Sequence, residues 1–168
     1  AATMADVATE AGVSYGLAYR YFTSKDALFR ALIDQMLRSG PSAWQRFLEM
    51  PGTPGKRIEY MISRLVENRR ETPGVYQLLC QVLGDEATPE DLRARVRKHG
   101  RIFQNTLRRL IIEGQEAGEV VAGDPDQLVF AVEAFLDGLA RVATRRPART
   151  QEHFPDAGIL LRILKPQR

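Results

Sequence analysis

The stretch that decides the fold is Thr3-Met4-Ala5-Asp6-Val7-Ala8-Thr9-Glu10-Ala11-Gly12-Val13-Ser14-Tyr15-Gly16-Leu17-Ala18-Tyr19-Arg20-Tyr21-Phe22-Thr23-Ser24-Lys25-Asp26-Ala27-Leu28. Thr3, followed three positions later by Asp6, is a capping-box pattern, and Met4, Val7, Ala8 and Ala11 repeat at helical spacing along one face. Gly12 permits a left-handed turn, Val13 is placed to plug into the core beneath it, and Ser14 caps a second helix. This is the punctuation of a helix-turn-helix. A plain αα-corner carries the same spacing, so on spacing alone both readings stay open.

The second helix shifts the balance. Ala18 and Phe22, four apart, face inward with Tyr21 beside them, which leaves Tyr15, Gly16, Tyr19 and Arg20 pointing outward. Exposed aromatic rings are costly unless they meet something, and a tyrosine offers a ring for a thymine methyl and a hydroxyl for a phosphate oxygen. Gly16 weakens its helix, which suits a place where another backbone comes close. A third helix begins at Ser24, and Lys25 sits among N–H groups that already favour an anion.

The run Thr3 to Ala8, Ala11 to Ser14, Gly16, Tyr19, Tyr21-Phe22 and Ser24 to Leu28 resembles the helix-turn-helix of the TetR family of bacterial transcriptional regulators, over roughly residues 3 to 32. The resemblance implies that the helix after Ser14 enters a major groove. It implies Tyr15, Gly16, Leu17, Tyr19 and Arg20 near base edges, and Thr3, Ser14, Tyr21 and Lys25 near phosphates. Two departures stand out. Ala18 is small where the family carries a larger apolar residue. Family members also have a helix, commonly preceded by a basic arm, ahead of the position of Thr3. Either a segment precedes the given sequence or the reading head is truncated; the cost of exposing Met4, Val7, Leu28 and Leu32 favours the first.

The rest of the chain reads as α throughout, so the fold expected is all-α: a DNA-binding domain over 1–39 and a larger helical ligand-binding and dimerisation domain over 40–168. Thr53-Pro54, Thr72-Pro73, Thr88-Pro89 and Asp124-Pro125 each pair a capping side chain with a proline at a first helical position. Ile58, Met61, Ile62, Leu65 and Val66 form one apolar stripe, and Val75, Leu78, Leu79, Val82 and Leu83 another, on two short adjacent helices. A longer helix runs from Thr88 until Gly114, Gly118 and Gly123 break it, with Gly100 marking a bend or a close contact. Another spans Pro125 to about Arg145, and a last one about Asp156 to Leu164.

By the resemblance, the larger domain senses a small hydrophobic or aromatic effector. The lining expected is Tyr60, Met61, Leu65, Tyr76, Leu79, Cys80, Leu83, Phe103, Leu107 and Phe135, each of which also reads as ordinary core. The helix from Pro125 is apolar nearly all round. Leu128, Val132, Phe135, Leu139 and Val142 are read as its core face, and Val129, Leu136, Ala140 and Ala143 as a face meeting a second subunit. Ile159, Leu160 and Ile163 supply the second helix of the two-fold interface that the resemblance implies, giving a homodimer on a palindromic double-stranded operator.

Composition sets the outer bounds. The 168 residues are 44% hydrophobic and 27% charged, with a net charge of +3. From Ala1 to Arg46 five basic residues face four acidic ones, so charge is not concentrated where DNA is expected. One cysteine forbids an internal disulfide and fits a reducing compartment, and no apolar run approaches the ~20 residues of a spanning helix; the expectation is a cytoplasmic protein without membrane contact. Cys80, amid Leu78, Leu79 and Val82, reads as a buried thiol, and Trp44 as packing. Arg93, Arg95, Arg97, Lys98, Arg101, Arg108 and Arg109 read as a solvated face. His99 and His153 lack metal-ligand spacing, no cofactor is implied, and enzyme signatures are missing. The reading is a ligand-responsive regulator, most simply a repressor. The alternative is an all-α dimeric small-molecule or protein-binding module with a vestigial reading head, and a helical enzyme ranks third.

Overall fold

The structure, a computed structural model, describes residues 3–38 and 40–166, and among these it is all helix and connection with no strand. The chain divides into two compact units, Ala1–Ser39 and Gly40–Arg168.

The first unit holds α1 (Met4–Glu10), α2 (Tyr15–Tyr21) and α3 (Lys25–Arg38). Each start is fixed by a side chain three residues before the amide it holds. In the capping box of α1, Thr3 Oγ1 accepts from the Asp6 N–H at 3.2 Å while Asp6 Oδ2 accepts the Thr3 N–H at 2.7 Å. Ser14 Oγ accepts from Leu17 at 3.2 Å, and Ser24 Oγ from Ala27 at 3.1 Å. Between α1 and α2, Gly12 takes φ 65°, a value at which a side chain would be strained. Met4, Ala8 and Ile33 are buried, Val7, Ala18 and Phe22 half-buried. Val13 does not plug into the core: its N–H bonds back to Ala8 O at 3.0 Å, and its side chain stays exposed. Tyr21, expected beside Phe22 on the inner face, is 76% exposed because it ends α2 one position off the Ala18–Phe22 stripe.

The second unit runs α4 (Gly40–Glu49), α5 (Pro54–Glu71), α6 (Pro73–Gly84), α7 (Glu90–Glu116), α8 (Pro125–Arg145), α9 (Pro147–His153) and α10 (Ala157–Leu164). At its centre lies α5, packed against α4, α6, α7, α8 and α10, with Ile58, Met61, Ile62, Leu65 and Val66 all buried. Leu107, Leu110 and Ile111 of α7, Val132 and Leu136 of α8, and Leu160 and Leu164 of α10 complete the core. The α7–α8 connection is wired to the rest: Glu119 Oε2 accepts the Gly55 N–H at 2.8 Å, and the Val121 N–H donates to Leu164 O at 2.8 Å.

Several boundaries differ from the sequence reading. Thr53 and Asp124 cap their helices as expected. Thr72 does not, since its hydroxyl donates to Asn68 O one turn back at 3.0 Å. Pro89 is itself the N-cap of α7, so that helix starts at Glu90, with Thr88 buried ahead of it. Gly114 does not break α7; it is buried inside it, and a Cβ there would overlap Val120 Cγ2. Gly100, unlike Gly114, has no neighbour close to where a Cβ would stand, and α7 runs through it. The helices α4 and α9 were not expected as separate elements.

The larger correction concerns α8. Val129, Leu136, Ala140 and Ala143, read as a subunit face, are buried in the body's own core, and so is Leu160 of α10. The stripe read as core contains Val132, which is buried, but Leu128, Phe135 and Leu139 are only half-buried and Val142 is 51% exposed. A helix packed against α5, α6 and α7 is apolar on nearly every side, so residue type does not tell which stripe points inward. Of the expected subunit face, Ile159 and Ile163 stay at the surface, 50% and 47% exposed.

Candidate nucleic-acid interface and ligand groove

The outward face of α2 is aromatic. Tyr15 and Tyr19, one turn apart, bring their ring centroids to 4.7 Å at an interplanar angle of 54°, and both are exposed. Hydrogen bonding to Tyr19 pushes the Tyr15 phenol above its ordinary value. Leu17, Arg20 and Tyr21 are exposed around this pair, and Gly16 has open space where a Cβ would stand. Nothing closely approaches Gly16 within the chain, which leaves the helix surface flat beside Tyr19.

At the flanks, the Ser14 hydroxyl oxygen is used in capping but its proton is free to donate. Lys25 is exposed at the start of α3, where the helix dipole favours an anion. Thr3 differs: its N–H and O–H both donate to Asp6, at 2.7 and 2.8 Å, and these bonds hold the Asp6 carboxyl below the usual carboxylate value. Thr3 therefore has no spare donor while the capping box is closed, and its immediate work is to start α1.

The body carries an open groove with a volume of about 880 Å³ between α4, α5, α6, α7 and α8. Leu65, Tyr76, Leu79, Cys80, Leu83 and Phe103, expected in a pocket, line it. The other four expected residues do not. Met61 of α5 and Leu107 of α7 are fully buried in the core, where packing between the helices consumes the apolar stripe of each. Tyr60 stands on the outside of α5 with its ring 6.1 Å from Phe47, and Phe135 packs half-buried against the core.

Among the groove residues outside the expected lining, Trp44, His99 and Arg69 carry buried side-chain nitrogens with no partner. Trp44 of α4 stacks near Phe103, with centroids at 5.1 Å, and its indole N–H is buried with no acceptor. His99 sets its ring edge-on to Trp44 at 5.9 Å, and burial pushes its pKa below the ordinary histidine value. Arg69 is 7% exposed with its guanidinium 3.7 Å above the Tyr76 ring, and burial pulls its pKa down. A signal for Arg69 was present, since it continues the apolar stripe Ile58, Ile62, Leu65 at the next helical step. A charge on a buried stripe is informative where an apolar residue is not.

Cys80 is also corrected. It lies exposed on the groove wall and not in the core, and partial burial of its thiol pushes the pKa up. The basic stretch of α7 is largely ion-paired: Arg93 and Arg97 with Glu90, Arg108 with Asp126 at 2.8 Å, Arg109 with Glu113 at 2.8 Å. Among the described residues no group of His, Cys, Asp and Glu is arranged to hold a metal, and no helix is long and apolar enough to cross a membrane.

Comparison with known proteins adds to this geometry. Residues 1–32 match bacterial regulatory proteins of the tetR family, and residues 85–153 match the tetracyclin repressor-like C-terminal domain. Over 94 residues the chain is 32% identical to the nucleoid occlusion factor SlmA of Actinobacillus pleuropneumoniae, an alignment covering 55% of this chain and 45% of that protein. The chain thus spans just under half the length of the curated relatives it matches. Among solved structures it is similar to the MbdR regulator of Azoarcus sp. CIB, with TM-score 0.74 and 22% identity over 96% of this chain and 83% of that one. It is also similar to the transcriptional regulator FadR of Bacillus subtilis in complex with stearoyl-CoA, with TM-score 0.64 and 17% identity over 96% and 86%. These two likenesses establish the fold.

Proposed function

The chain belongs to the TetR family of bacterial regulatory proteins, and from that premise we propose that it is a ligand-responsive transcriptional repressor binding a palindromic operator as a homodimer. The observation that carries the reading is the exposed Tyr15–Tyr19 pair on α2, held between two helices with side-chain caps at their starts. Aromatic surface displayed on a short, rigidly started helix suits a groove floor of base edges and thymine methyls. In this reading Tyr15, Leu17, Tyr19 and Arg20 face base edges across the flat patch at Gly16. Ser14, Tyr21 and Lys25 hold phosphates, and Thr3 reaches one only by opening its bond to Asp6.

The subunit surface is reassigned to the apolar residues left outside the core: Val142 with half-buried Phe135 and Leu139 on α8, and Ile159 and Ile163 on α10. A homodimer formed through this face carries two copies of α2, one for each half-site of a palindromic operator. The effector occupies the groove, where Trp44 of α4 is one wall. Since α4 follows α3 in the chain, a ligand that favours one placement of Trp44 biases the spacing of the reading heads. Such a protein works in the cytoplasm, on the chromosome.

Selection from random double-stranded DNA with the full chain tests the reading. The expected result is an enriched sequence with two inverted half-sites whose centres lie about 10 base pairs, or a multiple of that, apart. Binding without any enriched sequence would reduce the protein to the ligand- or protein-binding module.

A further inference from the structure

Among the groove's charged residues, one is buried, and a purely apolar effector leaves it unused. Arg69 is nine-tenths buried and faces the groove, yet it makes no ion pair among the described residues. Its Nη1 donates to Leu65 O, one turn back on its own helix, at a long 3.3 Å. Its Nε is buried without an acceptor, and the face of the guanidinium is occupied by the Tyr76 ring at 3.7 Å. A guanidinium is a fork of five donors that stays charged, and burying it without a counter-ion is expensive. Stacking on Tyr76 fixes the plane of the fork and leaves its edge for a planar anion.

The surroundings point the same way. Arg101 and Arg141 lie on the groove wall, while Arg97 is committed to Glu90. Of the acidic groups facing the groove, Glu133 accepts from Gln104 at 3.1 Å and burial pushes its pKa up, while the charge of Asp137 reaches Arg69 and favours its charged form without a salt bridge between them. Positive charge is thus in excess there, and Phe103, Trp44, Leu65 and Leu136 supply apolar surface. On the reading that the groove is the effector site, we infer that the effector is an amphipathic carboxylate. Its carboxylate pairs edge-on with Arg69, and its aromatic or acyl body lies against Phe103 and Trp44.

Titration calorimetry on the full chain with 4-phenylbutanoate and decanoate, each against its own primary amide, tests the assignment. The acids are expected to bind at least about tenfold more tightly than the amides, the usual scale of a charge-assisted pair in a partly dry site. Arg69→Gln is expected to abolish that preference while leaving amide binding within about twofold, since it removes only the charged partner. Arg69→Lys, which keeps the charge if the glutamine variant fails to fold, retains a smaller preference because it lacks the fork. Tyr60→Ala, outside the groove, leaves it unchanged. Equal binding of acid and amide, no binding of either acid at millimolar concentration, or a preference that survives Arg69→Gln overturns the inference. Selective DNA binding is measured on the same samples. Its loss counts against the regulator reading alone, and the anion assignment then stands or falls on the calorimetry.

Discussion

The two units are held together in different ways. In the first, every side-chain hydrogen bond that fixes a functional helix joins residues three apart: Thr3 with Asp6, Ser14 with Leu17, Ser24 with Ala27. In the second, local caps such as Thr53 and Asp124 also start helices, but further side-chain bonds join distant parts of the chain, Gly55 with Glu119, Arg108 with Asp126, and Gln104 with Glu133. A surface set by local caps displays side chains without a large core behind it. A groove exists only after five helices have packed. The reading head is therefore sensitive to single caps and surface contacts, and the groove to anything that moves the core.

Substitutions in the body should have the largest effect on folding. Ile62→Ala removes a fully buried side chain at the centre of α5 and is expected to cost about 2–5 kcal/mol in urea unfolding, with the groove lost as well. Gly114→Ala tests the same dependence by addition: the new methyl meets Val120, with an expected cost of about 1–3 kcal/mol. If either change left stability untouched, the contrast between a packed body and a locally held head would fail.

Surface changes come next. Ile163→Glu puts a charge on the exposed apolar face and is expected to yield a folded monomer by light scattering at micromolar concentration; an intact dimer would return the interface to another surface. Lys25→Ala should weaken DNA binding evenly across sequences and reduce the slope of log K against log salt by about 1, with fold and dimer unchanged. The smallest effect concerns the first cap. Asp6 has its folded pKa lowered by its bonds to Thr3, so its contribution is present above the usual carboxylate range and fades as pH falls through the folded value. Asp6→Asn should flatten that acid limb in a melting-temperature profile, and an unchanged limb would assign it to other carboxylates.

The same contrast explains what was legible in the sequence. Capping boxes, the Gly12 turn and the outward tyrosines are encoded within a few residues, so the first unit was readable from Thr3 to Leu28 almost helix by helix. Asp124-Pro125 and Thr53-Pro54 worked for the same reason, and Thr72 failed because its hydroxyl found a nearer carbonyl. Which face of α8 points inward is decided by α5, α6 and α7, and Val129 and Val142 look alike until those helices are in place. Met61 and Leu65, four residues apart on one stripe, differ only in that one is sealed in the core and the other reaches the groove. Arg69 broke the apolar pattern, and that break was the one sign of the groove carried by the stripe itself.

Sequence-selective DNA binding through the exposed face of α2 is the central claim, and Tyr19 tests it most directly. Fluorescence anisotropy with the full chain compares the enriched duplex and a scrambled one at fixed salt, for the native protein and for Tyr19→Ala. The account predicts that the native protein prefers the enriched duplex, and that Tyr19→Ala loses about 1–3 kcal/mol on it per contact while scrambled binding and dimerisation persist. Tyr19→Ala binding both duplexes as the native protein does would contradict it.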